Sequence, residues 1–118
     1  MVFSDRVQDH VARPRNAGEM PDAHRIGLAG EPGEGPHVKL WFKLNGTKIT
    51  KASYHTNGCP SSIACASAVC ELAIGREVDK MKFLDARSLV LFLGGLPEGK
   101  GYYADLAIKA MNNALEVK

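Results

Sequence analysis

The stretch "HVKLWFKLNGTKITKASYHTNG", residues 37–58, decides the fold. Its first run alternates: Val38, Leu40, Phe42 and Leu44 fall on one face, and Lys39, Trp41 and Lys43 on the other. A period of two is that of a half-buried strand, because successive side chains point to opposite faces. Asn45-Gly46 then interrupts the pattern, and this dipeptide accepts the positive φ angles of a tight hairpin turn. "TKITKASYHTNG" returns as the partner strand. Upstream, the glycine- and proline-rich "EPGEGP" (31–36) reads as a connection and "HRIGLAG" (24–30) as a further strand. The first half thus predicts an antiparallel meander of about three strands over residues 23–58.

Before the sheet, Ser4 is placed to cap a short helix, "DRVQDHVAR", with Val7 and Val11 on one side. Pro14 ends it, and "RPRNAGEMPD" is a loop by composition. After the sheet the period changes. Pro60 suits a first helical turn and Gly75 a helix end. Between them Ile63, Ala66, Cys70 and Ala73 share one stripe, beside Cys65, Val69 and Leu72, which predicts a helix buried over a broad face. Asp79 is placed to cap a short turn, and Asp85 or Ser88 to start "ARSLVLFL". Gly94-Gly95-Leu96-Pro97 breaks that helix. A last one runs through "YYADLAIKAMNNALEV", with Leu106, Ala110, Met111, Ala114 and Leu115 inward. The class is α+β: a three-stranded antiparallel sheet with helices packed on one face, in a single domain over residues 1–118.

The chain has 118 residues, 45% of them apolar and 24% charged, with a formal net charge of +2. That charge is too small to argue for a nucleic-acid or membrane partner. No apolar run approaches the ~18 residues of a membrane span. The start is charged and lacks a signal-peptide core, so the expected location is the cytoplasm. Three cysteines do not make a disulfide framework.

Cys59 stands between Asn57-Gly58 and Pro60, where a turn meets a helix start. The amides there stabilise a thiolate, and such sites bring a thiol pKa from ~8.5 to roughly 3.5–7.5. The plainer reading is a small residue buried in a turn. Cys65 and Cys70 fit the apolar stripes and read as core. The spacing C-x5-C-x4-C matches no common zinc pattern. His10, His24, His37 and His55 are scattered and read as ordinary histidines. His37 differs in opening the central strand beside the 31–36 loop, so it nears Cys59 if that loop folds over the helix start. "GEPGEG" and "GGLPEGKG" lack the context of a phosphate loop and are turns.

Four segments, taken together and in order, resemble the U-type iron–sulfur cluster scaffold family, the NifU N-terminal or IscU-like domain. "FSDRVQDHVARPRNAGEM" is similar to its opening helix and Pro-Arg-Asn loop. "GEPGEGPHVKLWFKLNGTKI" is similar to its first ligand loop and following strands, and "ASYHTNGCPSSIACASAVCE" to its second ligand loop and helix. "LPEGKGYYADLAIKA" is similar to the segment carrying the third ligand. The resemblance implies three cysteines, assisted by an aspartate and sometimes a histidine, holding an iron–sulfur cluster or zinc. Here Glu34 stands at the first cysteine and Pro36 at the aspartate. Cys59 is the second cysteine. Tyr103 falls at the third, and Tyr102 at the histidine before it. The chaperone-recruiting Leu-Pro-Pro-Val-Lys is here "LPEGK", keeping Leu96, Pro97 and Lys100 but carrying Glu98 and Gly99.

Clusters are held mostly by cysteine thiolates, and one thiolate beside Glu34 is a poor site for a soft cluster. With His37 or a water it makes a weak site for a divalent metal. Tyr103 is a poor replacement, since a phenol near pKa ~10 is mostly protonated at neutral pH. The resemblance therefore implies a non-enzymatic, scaffold-like protein of iron–sulfur cluster assembly. Its candidate metal residues are Cys59, Glu34 and His37, and its cofactor is an iron–sulfur cluster, zinc, iron or none. The expected partner is a cysteine desulfurase or another assembly protein, with Cys59 accepting sulfur or giving one ligand to a cluster shared within a homo-oligomer. The alternative is a metal-free protein-interaction module. A thiol enzyme built on Cys59 ranks last, because no general base is identifiable near it.

Overall fold

The structure is a computed structural model that describes residues 5, 9, 12, 17–30, 35–57, 60–96 and 99–116. The expected opening helix falls mostly outside these residues; Asp5, Asp9 and Ala12 are helical. Strands β1 (Arg25–Gly30), β2 (His37–Asn45) and β3 (Lys48–Thr56) form one antiparallel sheet in the order β1-β2-β3. Helices α1 (Pro60–Ala73), α2 (Val78–Met81), α3 (Ala86–Phe92) and α4 (Tyr102–Leu115) follow. The meander and the helices after it are as the alternation and the change of period predict.

The β2–β3 hairpin closes with Asn45 opposite Lys48, and a one-residue register shift follows between Lys43 and Leu44. Leu44 faces Ile49 while Lys43 faces Lys51, so Thr50 is the extra residue of a bulge. Its hydroxyl donates to the Lys43 carbonyl at 3.1 Å. The shift lets Ile49, Ala52 and Tyr54 all be buried although Ile49 and Ala52 are an odd number of residues apart.

Val38, Leu40 and Phe42 are fully buried on the helix-covered face, together with Ala29 of β1. Trp41 corrects the simple alternation: it lies on the opposite face with Lys39 and Lys43, yet it is buried. The Lys39 ammonium stands 5.0 Å from its ring centroid, and Ile26 and Ser53 are its cross-strand neighbours. An indole body can be covered this way while its neighbours keep their charges in water.

Helix α1 is buried more completely than its two stripes predict. Ser61, Ser62, Ala64, Ser67 and Ala68 are enclosed along with Cys65, Val69 and Cys70, whereas Ile63 and Leu72 are only partly covered. Small side chains allow close approach on several sides at once, which an apolar-residue pattern does not register. Pro60 opens the helix as expected, and Gly75, at φ +89°, follows its end. Helix α2 is capped at Glu77 rather than Asp79, with no side-chain capping bond, the Glu77 carboxylate instead accepting from the Thr47 hydroxyl; Asp79 sits in its first turn. Asp85 caps α3 by accepting from the Ser88 amide at 2.8 Å.

Helix α4 lies against β1 so closely that only glycine fits at position 27. A Cβ there would stand 2.0 Å from the Ala110 carbonyl oxygen and 2.5 Å from the Ala114 amide nitrogen. The Asn113 side-chain amide donates to the Leu28 carbonyl at 2.9 Å and fixes the same approach. Both obstacles to a Cβ are backbone atoms and cannot swing aside. Gly27→Ala is therefore expected to cost about 3 kcal/mol or more of unfolding free energy. Urea unfolding followed by circular dichroism measures it; an unchanged midpoint would refute the contact.

Candidate functional site

Two side-chain hydrogen bonds to backbone carbonyls draw together the chain beside the expected ligand loops. The Thr56 hydroxyl donates to the His37 carbonyl at 2.7 Å. The Asn57 amide donates to the Gly35 carbonyl at 3.4 Å. Gly35 directly follows Glu34, and Asn57 stands two positions before Cys59. Glu34 and Cys59 themselves lie outside the described residues. On the β1 side, Gly30 adopts φ +85°, and a Cβ there would meet the Pro36 carbonyl oxygen at 2.2 Å. The turn into β2 thus requires glycine at this position.

His37 is the expected site residue that the structure describes. It opens β2 opposite Gly30, on the sheet face turned away from α1 and α4, and it is only 7% exposed. Its Nε2 lies 3.3 Å from Nδ1 of His55, which is exposed on β3. The two rings stack with centroids 5.4 Å apart and planes inclined by 30°. The other nitrogen of His37, Nδ1, is buried and has no hydrogen-bond partner among the described residues. Buried polar atoms are rarely left so, and each exception calls for a cause.

His55 is missing from the sequence-based ligand set. A turn with Asn45 opposite Lys48, continued without a bulge, would put Tyr54 opposite Lys39 and turn His55 to the helix-covered face. The register shift instead places His55 opposite Lys39, on the face that carries His37. No feature of the sequence announces that shift.

Helix α4 places Tyr102 and Tyr103. Its last turn lines a cleft with Lys82, and the nearby start of α2 is tied to the hairpin turn by the Val78 amide donating to the Thr47 carbonyl. Tyr102 and Tyr103 begin the helix at its other end, about 20 Å away at 1.5 Å per residue. Helix α1 also finishes toward the turn, where the Ile49 amide donates to the Arg76 carbonyl and the Gly75 amide to the Ile49 carbonyl, both at 2.8 Å. Tyr103 is partly buried against the core, its ring 5.5 Å from that of Tyr102 and 5.6 Å from the Lys100 ammonium. This is a packed aromatic, where the resemblance implies a third ligand.

Cys65 and Cys70 are fully buried, as their stripes predict. Burial pushes the Cys70 thiol pKa far up, because a thiolate there would be stripped of water. Among the described residues no group of three or more His, Cys, Asp and Glu side chains is placed to share a metal ion. No helix among them is long and apolar enough to cross a membrane.

Comparison with known proteins gives this geometry its setting. Residues 2–117 match the model of the NifU-like N-terminal domain. The chain belongs to that family. It is 32% identical over 114 residues to the iron–sulfur cluster assembly scaffold protein IscU 1 of Archaeoglobus fulgidus, covering 97% of this chain and 74% of that protein. It is 29% identical over 116 residues to the corresponding IscU scaffold of Aquifex aeolicus, with the same coverage of 97% and 74%. The fold matches the crystal structure of a protein from Fervidobacterium islandicum described as an iron–sulfur cluster assembly scaffold for the SUF system. That match has a TM-score of 0.69 at 21% identity and covers 97% of this chain and 96% of the other.

The burial of Cys65 and Cys70 makes a direct expectation for this family member. Under native conditions at neutral pH neither should react with iodoacetamide on the timescale on which an exposed thiol is consumed. Both should react once the protein is unfolded. Peptide mass mapping reads the sites, and rapid native labelling of either would contradict the packing of α1.

Proposed function

We propose that this chain works in iron–sulfur cluster assembly as a scaffold-fold protein whose chemistry centres on Cys59. The observation that carries the reading is the family match over nearly the whole chain; the resemblance puts Cys59 at one ligand position and Glu34 and Tyr103 at two others. A single thiolate cannot provide the four that common clusters use. It can accept sulfur. The Cys59 thiolate attacks the outer sulfur of a persulfide on a cysteine desulfurase; one S–S bond breaks as another forms, and the desulfurase leaves as a thiolate. The same thiolate, with Glu34 and His37, makes a weak site for zinc or iron(II), since imidazole and carboxylate both suit borderline divalent ions. In this reading the protein holds and passes on sulfur or metal and performs no catalysis of its own.

Incubation with a cysteine desulfurase and L-cysteine should add one sulfur atom to Cys59 and none to Cys65 or Cys70. Cys59→Ala should abolish the addition. Protein dialysed against metal-free buffer should carry far less than one zinc per chain and take up added zinc only with Cys59 intact. Failure of both sulfur transfer and zinc uptake, beside a three-cysteine scaffold that shows them, would leave the fold as a metal-free interaction module.

A further inference from the structure

A groove of about 270 Å³ opens where α1 ends and α2 runs into α3. Its lining is apolar at Leu72, Phe83 and Leu84 and cationic at Arg76 and Lys80, and no carboxylate among the described residues lines it. Phe83 is 82% exposed. A singly exposed apolar side chain is ordinary. This one stands beside a hollow, and the apolar surface continues past it: Leu91, 72% exposed, lies one helical turn after the lining residue Ser88 on α3. A benzyl group in water at the lip of an apolar hollow marks a protein-binding surface, where aromatic and arginine side chains are enriched.

The charges around the groove say what fits it. The nearby carboxylates are engaged: Glu77 accepts from the Thr47 hydroxyl, Asp79 pairs with Lys82 at 3.6 Å, and Asp85 accepts from the Ser88 amide. Arg76 and Lys80 take part in no ion pair among the described residues. The Arg76 Nε donates to the Leu72 carbonyl at 2.7 Å and so holds the guanidinium at the end of α1, where its fork of further N–H donors suits a carboxylate.

We propose that this groove docks a short segment of a partner protein in which a large apolar side chain is flanked by carboxylates. The apolar side chain enters between Leu72, Leu84 and the Phe83 ring, and its acidic neighbours meet Arg76 and Lys80. A membrane surface is also drawn to cations beside exposed aromatics, but it would leave a hollow of this size unfilled. Leu72 stands near the end of α1, about 18 Å along the helix from Pro60. The surface is therefore remote from the helix start that follows Cys59, and the proposal does not rest on the chemistry of Cys59.

The test uses the full chain to select from a phage-displayed library of random peptides. Phe83 and Lys80 are exposed, so Phe83→Ala and Lys80→Glu should keep the parent's urea midpoint. Selected peptides should carry Asp or Glu beside Leu, Ile, Phe or Trp. In fluorescence anisotropy they should bind Phe83→Ala about tenfold more weakly than the parent chain, and Lys80→Glu about fivefold more weakly. Added salt should weaken them further, and they should shift the amide resonances of Leu72, Arg76, Phe83 and Leu84. A selection that yields basic peptides, peptides that bind Phe83→Ala as tightly as the parent, or none, would overturn the proposal. Phosphatidylserine vesicles that retain the parent chain but not Phe83→Ala would reassign the patch to a membrane and overturn it equally.

Discussion

The register shift between Lys43 and Leu44 is the constraint on which both the core and the site depend. A strand shows its side chains to alternate faces, so one inserted residue exchanges the faces of everything beyond it. Thr50 is that residue. Because of it Tyr54 is buried toward the helices and His55 stands on the far face beside His37. Without it a phenol and an imidazole would trade places: the core would have to bury His55, and His37 would lose its partner. A backbone irregularity that the Thr50 hydroxyl bridges thus carries a chemical consequence several residues away.

The helices meet this sheet by close approach rather than by bulk. Gly27 lets α4 rest its backbone on β1, and the small residues of α1 let that helix be enclosed on several sides. Such packing leaves little freedom to slide, since contacts between backbones have no rotamers through which to relax. Rigidity of this kind suits a protein that must hold the ends of separate loops together. Thr56 and Asn57 complete the arrangement by tying the chain ahead of Cys59 to the start of β2.

The resemblance puts Glu34 and Tyr103 where the family has two ligand cysteines. Tyr103 is drawn into packing with Tyr102, Lys100 and the core. On the far face of the sheet, the His37 imidazole is buried with its Nδ1 lacking a hydrogen-bond partner among the described residues.

Much of this could be read from the sequence. The alternation from Val38 to Leu44, the Asn45-Gly46 turn and the change of period after Pro60 fix the three strands and the helices behind them, because these patterns arise from local geometry. Cys65 and Cys70 were legible as core for the same reason. Tertiary structure decided the rest. Trp41 is buried on the face that its lysine neighbours mark as wet. Gly27 is required by a helix more than eighty positions away in the chain. His55 joins His37 only through a bulge. Each of these depends on contacts between residues distant in sequence, where shape and register, not residue type, determine which side chains meet.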